Sequence, residues 1–264
     1  MIASAAKSPP PLEVAAIPGE PAWLASARHA ALARFSETGL PTVKDEDWRF
    51  TNLAPLAGLS FQPVPRPKRG GLSRETLARL PFSGLGGSRL VFVNGHFAPA
   101  LSSLSEQEDG VKIMGLADAV VSEPELIERH LFRLAQKTPT AFASLNAALF
   151  QDGAFIHIPE GRKAAGPVHL LYLSIPDSFA EAAYPRSLIL VEKGTSLTIT
   201  ESYLSVGDAR HLTCGVTELI AGDNATVEYL KFQDESSGEK WPFTNTSRLP
   251  PSPLKGNRAR VSLD

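Results

Sequence analysis

A glycine turn recurs at a fixed step in the middle of this chain, at Gly166, Gly194 and Gly222, 28 residues apart. The run Gly194-Thr195-Ser196-Leu197-Thr198-Ile199-Thr200-Glu201 is echoed by Gly222-Asp223-Asn224-Ala225-Thr226-Val227-Glu228, and Gly166 precedes the apolar run Val168–Leu173. Side chains that alternate polar and apolar have the two-residue period of a strand. Strands that turn at the same place in successive repeats suit a coiling β-solenoid, in which each repeat buries its apolar face against its neighbours.

The strand period begins at Ala154. Ala154–Ile158, Val168–Leu173, Ser187–Val191, Ser196–Tyr203, Leu212–Ile220 and Ala225–Phe232 are the predicted strands, each with one buried face and one polar face in solvent. Residues 154–235 therefore read as an all-β portion.

The preceding part, residues 20–153, reads as a mixed helical and strand domain. Pro21 opens a helix whose Trp23/Leu24, Ala27, Ala31 and Phe35 recur at three- and four-residue steps, with Gly39 as its stop. The acidic residues of Lys44-Asp45-Glu46-Asp47 lead into Trp48 and Phe50, as expected of a capped turn anchored by two aromatic rings. Gln62–Gly71, with Pro63, Pro65 and Pro67, reads as a stiff extended linker whose basic residues are solvated. Ser73 caps a short helix through Leu80. Arg89–Val93, the turn Asn94-Gly95 and His96-Phe97 form a hairpin, and Val111–Met114 is a further strand. Ser122-Glu123-Pro124-Glu125 predicts a capping box for a helix to about Lys137, and a second helix carries Phe142, Leu145 and Leu149 as far as Asp152-Gly153.

Both ends look different. Residues 1–19, rich in Ala, Pro and Ser, read as a disordered leader without the apolar core of a secretory signal. Residues 236–264 read as an atypical Pro- and Arg-rich tail without strand alternation, which leaves Ala225–Phe232 as an open sheet edge.

Composition narrows the function. The chain has 264 residues, 43% hydrophobic and 20% charged, with a formal net charge of −2. That balance predicts a soluble, cytoplasmic protein with no general attraction for nucleic acid or an anionic membrane. The single cysteine, Cys214, excludes an internal disulfide and any multi-cysteine site made by this chain alone. Its alternation with Leu212 and Val216 makes it a buried apolar residue. No Walker A, dinucleotide, nucleophile-elbow or paired-carboxylate motif is present. Gly84-Leu85-Gly86-Gly87 precedes a strand and does not join strand to helix, so it is no phosphate cradle. His157, His169 and His211 each sit opposite apolar strand neighbours and could share one exposed face, the minimum for a metal-dependent β-fold enzyme. They lack a paired histidine motif and a spaced carboxylate, and His130 reads as a boundary residue of its helix. The residues themselves thus define a scaffold with no catalytic, cofactor or metal-ligating residue.

Pro41-Thr42-Val43-Lys44-Asp45-Glu46-Asp47-Trp48-Arg49-Phe50-Thr51 resembles the PT-x-K-x-E-x-W-R-Y-T signature of the SufB/SufD family, on its SufD side. Leu90–Phe97, Leu145–Ala148 with Asp152-Gly153, Pro185–Ile189 with Gly194 and Glu201, and Thr217-Glu218 with Gly222 resemble the family in the same order. The resemblance covers about residues 20–235. It implies an α+β protein: a helical and mixed N-terminal region followed by the first coils of a right-handed parallel β-helix. It further implies a non-catalytic scaffold for iron–sulfur cluster assembly, pairing with a SufB-like paralogue and a SufC-like ATPase. The iron–sulfur cluster would be held only transiently, through the assembled complex. Family members run on through more coils to a helical ATPase-docking segment that has no counterpart in the tail read here. The chain is therefore expected to be truncated, either a partial scaffold or a product without function of its own.

Overall fold

The computed structural model describes residues 12–53, 56, 62–66, 72–133, 140–175, 182–206 and 211–235, and the backbone of 181, 243–249 and 258–263. The first helix, α1 (Ala22–Thr38), buries Leu24, Arg28, Ala31 and Phe35 along one stripe and ends at Gly39, whose N–H donates to the Phe35 carbonyl at 2.7 Å. Part of the expected leader is built into the fold: Ile17 is buried, and the Ala15 carbonyl accepts from Arg28 Nη2 at 2.9 Å. Residues 1–11 lie outside the described residues.

The turn after α1 is a 3-10 turn at Glu46–Trp48. The Asp45 carboxylate accepts from the Thr42 N–H at 2.6 Å and from its hydroxyl at 3.0 Å, which pulls its pKa below the usual carboxylate range. Trp48 anchors the turn by lying 5.2 Å from the Phe142 ring. Phe50 does not: it is 89% exposed, with the Arg49 guanidinium 4.6 Å from its ring.

Two further expectations change here. The segment after Ser73 forms α2 (Arg74–Ala78), with Ser73 as its cap. The predicted capping box at Ser122 is instead a helix end. Ser122 closes α3 (Leu116–Ser122), and α4 (Pro124–His130) starts after Glu123 without a side-chain cap. Glu123 is held in a non-helical conformation at φ −130° and ψ 46°, because the residue before a proline avoids helical geometry. The helix ends at His130, short of the expected Lys137: Leu131 is extended and residues 131–133 form a turn, while 134–137 lie outside the described residues. α5 (Ala141–Leu149) is capped by the Thr140 hydroxyl and is buried at every position but the first.

Twelve described strands make two sheets. They are β1 (Ser88–Val93), β2 (His96–Phe97), β3 (Lys112–Gly115), β4 (Ala154–Ile158), β5 (Val168–Ser174), β6 (Glu181–Ala183), β7 (Arg186–Val191), β8 (Ser196–Ser205), β9 (His211–Ala221), β10 (Thr226–Asp234), β11 (Phe243–Leu249) and β12 (Arg258–Leu263). One sheet has the order β12-β10-β8-β5-β1-β2 and the other β11-β9-β7-β4-β3, with β6 also on β9. From β4 onward the strands alternate between the sheets and pair in parallel, apart from the short β6 beside β9. The expected boundary at 153/154 carries β-sheet hydrogen bonds across it, since β1 pairs with β5 and β3 with β4.

This alternation explains why the solvent-facing side predicted for most strands is missing. Parallel sheets are covered on both faces. Between the sheets pack Phe92, Ile156, Leu170, Ile189, Ile199 and Leu219. The second face of the β4–β7–β9 sheet packs Phe155, Leu188 and Cys214 against Phe142 and Leu145 of α5 and Leu24 of α1. The second face of the other sheet packs Val91, Leu171 and Leu204 against Leu72 and Leu77. Each such fully buried side chain contributes roughly 1.5–3 kcal/mol of burial free energy.

The repeat itself has a different register from the glycine spacing. Ser196 lies opposite Thr226 and Arg186 opposite Val216, 30 residues apart in each case. Gly194 is therefore equivalent to Asn224. Each is the third residue of a tight turn closed by Thr195 N–H to Glu192 at 3.2 Å and by Ala225 N–H to Gly222 at 3.1 Å. Both adopt left-handed backbone, φ +70° and +59°, which Gly and Asn tolerate best. The turns stack through Gly194 N–H to Asp223 and Thr226 N–H to Thr195, both 2.9 Å. The tail is corrected too: β11 continues one sheet along β9, and β12 covers the β10 edge that the sequence left open.

Candidate functional site

The strands place a polar cluster inside the molecule, between the sheets. Glu201 follows Ile199 by two residues and so points inward, where it is fully buried. The Tyr203 hydroxyl donates to Glu201 Oε1 at 2.5 Å and the Thr217 hydroxyl to Oε2 at 3.2 Å, which links β8 to β9 in the opposite sheet. Tyr203 stacks on Tyr172 at 4.8 Å, and Tyr172 on Phe92 at 4.8 Å. The Tyr172 hydroxyl meets Ser187 Oγ at 2.6 Å, a second bond across the sheets. Burial, then the Glu201 charge, raises both phenol pKa values well above the ordinary one. Both phenols stay protonated, so that of Tyr203 can donate to Glu201. Lys231, opposite Glu201 on β10, lies with Nζ 5.2 Å from the Tyr203 ring. Glu235 accepts from the Thr213 hydroxyl at 2.9 Å and meets His211 Nε2 at 3.2 Å.

A second cluster joins helices to the outer face of the β7–β9 sheet. Arg186 and Glu218 form a fully buried ion pair. Arg186 Nη1 also donates to Asn146 Oδ1 at 2.8 Å, and Phe132 N–H donates to Glu218 Oε1 at 3.0 Å. Asn146 Nδ2 donates to the carbonyls of Pro185 at 2.9 Å and Cys214 at 2.7 Å, and the Phe132 ring covers the Arg186 guanidinium at 4.5 Å. Beside them burial pushes the Cys214 thiol up to about 12. At neutral pH it is an inert thiol, not a nucleophile or thiolate ligand.

The three histidines weighed for a metal site are not brought together. His157 lies on the helix-facing side of β4, with Nε2 2.8 Å from Glu192 Oε1. His169 lies on the outer side of the opposite sheet, with Nε2 3.0 Å from Ser202 Oγ. His211 points between the sheets toward Glu235. Their shared parity along the strands did not give a shared face, because the strands belong to two sheets. Among the described residues no group of three or more His, Cys, Asp or Glu is placed to hold a metal ion, and no helix is long and apolar enough to cross a membrane.

His169 carries a pH prediction. Burial, and then the Arg89 charge, lower its pKa to about 4, and its buried Nδ1 has no acceptor for a second proton. The unfolded chain, with histidine near 6.5, binds the proton more readily. The stabilisation is complete above about pH 6.5 and is lost as pH falls toward 4, by roughly 3 kcal/mol. Urea unfolding from pH 7 to pH 4 should show this loss, and His169→Gln should flatten it.

Residues of the clusters escaped sequence reading although a signal existed. Arg186, Glu201 and Glu218 sit at positions where the two-residue alternation calls for an apolar side chain. A charged residue on a buried strand face needs a partner, but which partner depends on sheet order.

These features define a class: a parallel-sheet scaffold whose buried polar groups bind one another and tie sheet to sheet and helix to sheet. Residues 18–170 match the SufBD protein N-terminal region, and residues 174–247 match the SufBD core domain of SUF system FeS cluster assembly. The chain belongs to the SufBD family and is SufD-like. It is 29% identical over 238 residues to an iron–sulfur cluster assembly SufBD family protein of Synechocystis, covering 86% of this chain and 51% of the relative. It is 28% identical over 226 residues to the iron–sulfur cluster assembly protein SufD of Bacillus subtilis, covering 83% and 50%. With SufD of Escherichia coli it shares 27% over 213 residues, covering 78% and 45%. The chain thus spans about half the length of these relatives. The core match reaches residue 247, past the boundary at 235 expected from the sequence.

Proposed function

We propose that this chain is a non-catalytic, SufD-like scaffold component of iron–sulfur cluster assembly. Its coils form part of a right-handed parallel β-helix that meets a SufB-like paralogue, in a cytoplasmic complex that also includes a SufC-like ATPase. The iron–sulfur cluster is cargo of the assembled complex, and the chain carries no cofactor of its own. The observation that carries this reading is the alternation of parallel strands between two sheets from β4 to β10, interrupted only by the short β6, within the region that the SufBD models match. Such a repeat provides a rigid surface for protein contacts, and Glu201, Tyr203 and Thr217 between its sheets are already bonded to one another.

The test is co-expression of the tagged chain with a SufB-like and a SufC-like protein. Retention of the SufB-like partner through purification is expected. Recovery of the chain with neither partner, although it is folded, would sink the scaffold reading.

A further inference from the structure

Away from the two clusters, the described residues enclose a cleft of about 600 Å³. Its walls are the 15–18 segment, the extended run Gln62–Arg66, β2 and the start of α3. That volume lies within the range of small-molecule sites, which combine apolar walls with a few placed polar groups. Pro18, Pro63, Val64 and Val121 supply the apolar surface. His96 is buried at one side, with Nε2 donating to the Val64 carbonyl at 2.8 Å, and burial lowers its pKa so that the ring is neutral at pH 7.

Arg66 is the cationic group lining the cleft. Its guanidinium is 65% exposed and 3.7 Å from Asp152 Oδ2. Asp152 is already bonded on both oxygens: Oδ1 accepts from Ala117 and Gly153 N–H at 3.0 and 2.9 Å, and Oδ2 from Phe97 N–H at 3.1 Å. The carboxylate thus holds the guanidinium at the cleft without using its fork of donors, which matches a carboxylate or phosphate. Burial raises the Asp152 pKa, so two groups at this cleft have pKa values displaced by desolvation, a feature that marks binding sites.

We propose that this cleft binds a small organic anion, a carboxylate or a phosphate monoester, with its charged end on Arg66 and its apolar body against Pro63, Val64 and Val121. Asp118, which also lines the cleft, limits the charge the ligand can carry. The site is independent of the scaffold reading and needs no partner protein.

Ligand-observed NMR and calorimetry on the full chain would use benzoate, phenyl phosphate and inorganic phosphate. Binding of benzoate or phenyl phosphate is expected, with inorganic phosphate at least about tenfold weaker, because it leaves the apolar wall unused. The better of the two organic probes identifies the headgroup. Arg66→Gln should weaken binding about tenfold or more, and Asp118→Asn should strengthen it. Arg66 is exposed, so the variant should keep the parent melting temperature, which separates lost binding from lost folding. Absence of millimolar binding by both organic probes would overturn the proposal. So would equal binding by inorganic phosphate, or unchanged binding by Arg66→Gln.

Discussion

Arg186→Met is expected to cost about 3–5 kcal/mol of folding stability, since it leaves the Glu218 carboxylate buried beside Phe132 without its cation. Arg186 and Glu218 are both fully buried, so water cannot replace the missing partner. The double variant Arg186→Met/Glu218→Leu removes both charges together. It should be more stable than the single variant, because a buried pair exchanged whole for apolar side chains is often near neutral. Asn146 would then lose one acceptor contact and keep its two carbonyl partners. Urea midpoints of the two variants and the parent provide the comparison. A single variant within about 0.5 kcal/mol of the parent, the range of ordinary surface substitutions, would show that the pair does not hold helix to sheet.

The second large effect is expected at Gly153, where β4 begins beside the start of β7. A Cβ there would lie 2.5 Å from the Arg186 carbonyl carbon, 2.7 Å from its nitrogen and on top of its oxygen. The obstacle is backbone, not a side chain that can turn aside. Arg186 N–H is also held by the Asp152 carbonyl at 3.0 Å. Gly153→Ala must separate the two strands where their pairing starts, and about 4 kcal/mol or more is expected, beyond the usual cost of overpacking. Circular dichroism and yield of soluble protein would reveal it. Near-parental stability would mean that the strands part more easily than their packing implies.

Both predictions concern residues whose importance the sequence only partly disclosed. Gly153 was read as a helix stop, which accounts for its position after α5 but not for its contact with Arg186. Cys214 was read as a buried apolar residue from alternation alone, and burial follows that pattern. The His157, His169 and His211 face failed because alternation states only that a side chain points away from its neighbours. It does not state which sheet the strand joins. The 28-residue glycine step failed for a related reason. Asn224 replaces glycine at the left-handed turn position, so counting glycines misplaces a repeat whose true step is set by strand register.

Local chemistry in the chain by itself determined the helix of α1, the strands β4, β5 and β7 to β10, the hairpin at Asn94-Gly95, and a family resemblance that the matches over residues 18–247 bear out. Period, caps and turn residues act over a few positions, so they are legible without a fold. The tertiary structure alone decided that β1 and β3 join the later sheets, and that β11 and β12 extend them. It also decided that both faces of most strands are buried and that Glu201 meets Thr217 while Arg186 meets Glu218. Those outcomes depend on which strands become neighbours across long stretches of chain, and the free energy of burying and pairing side chains settles that only when the whole coil is assembled.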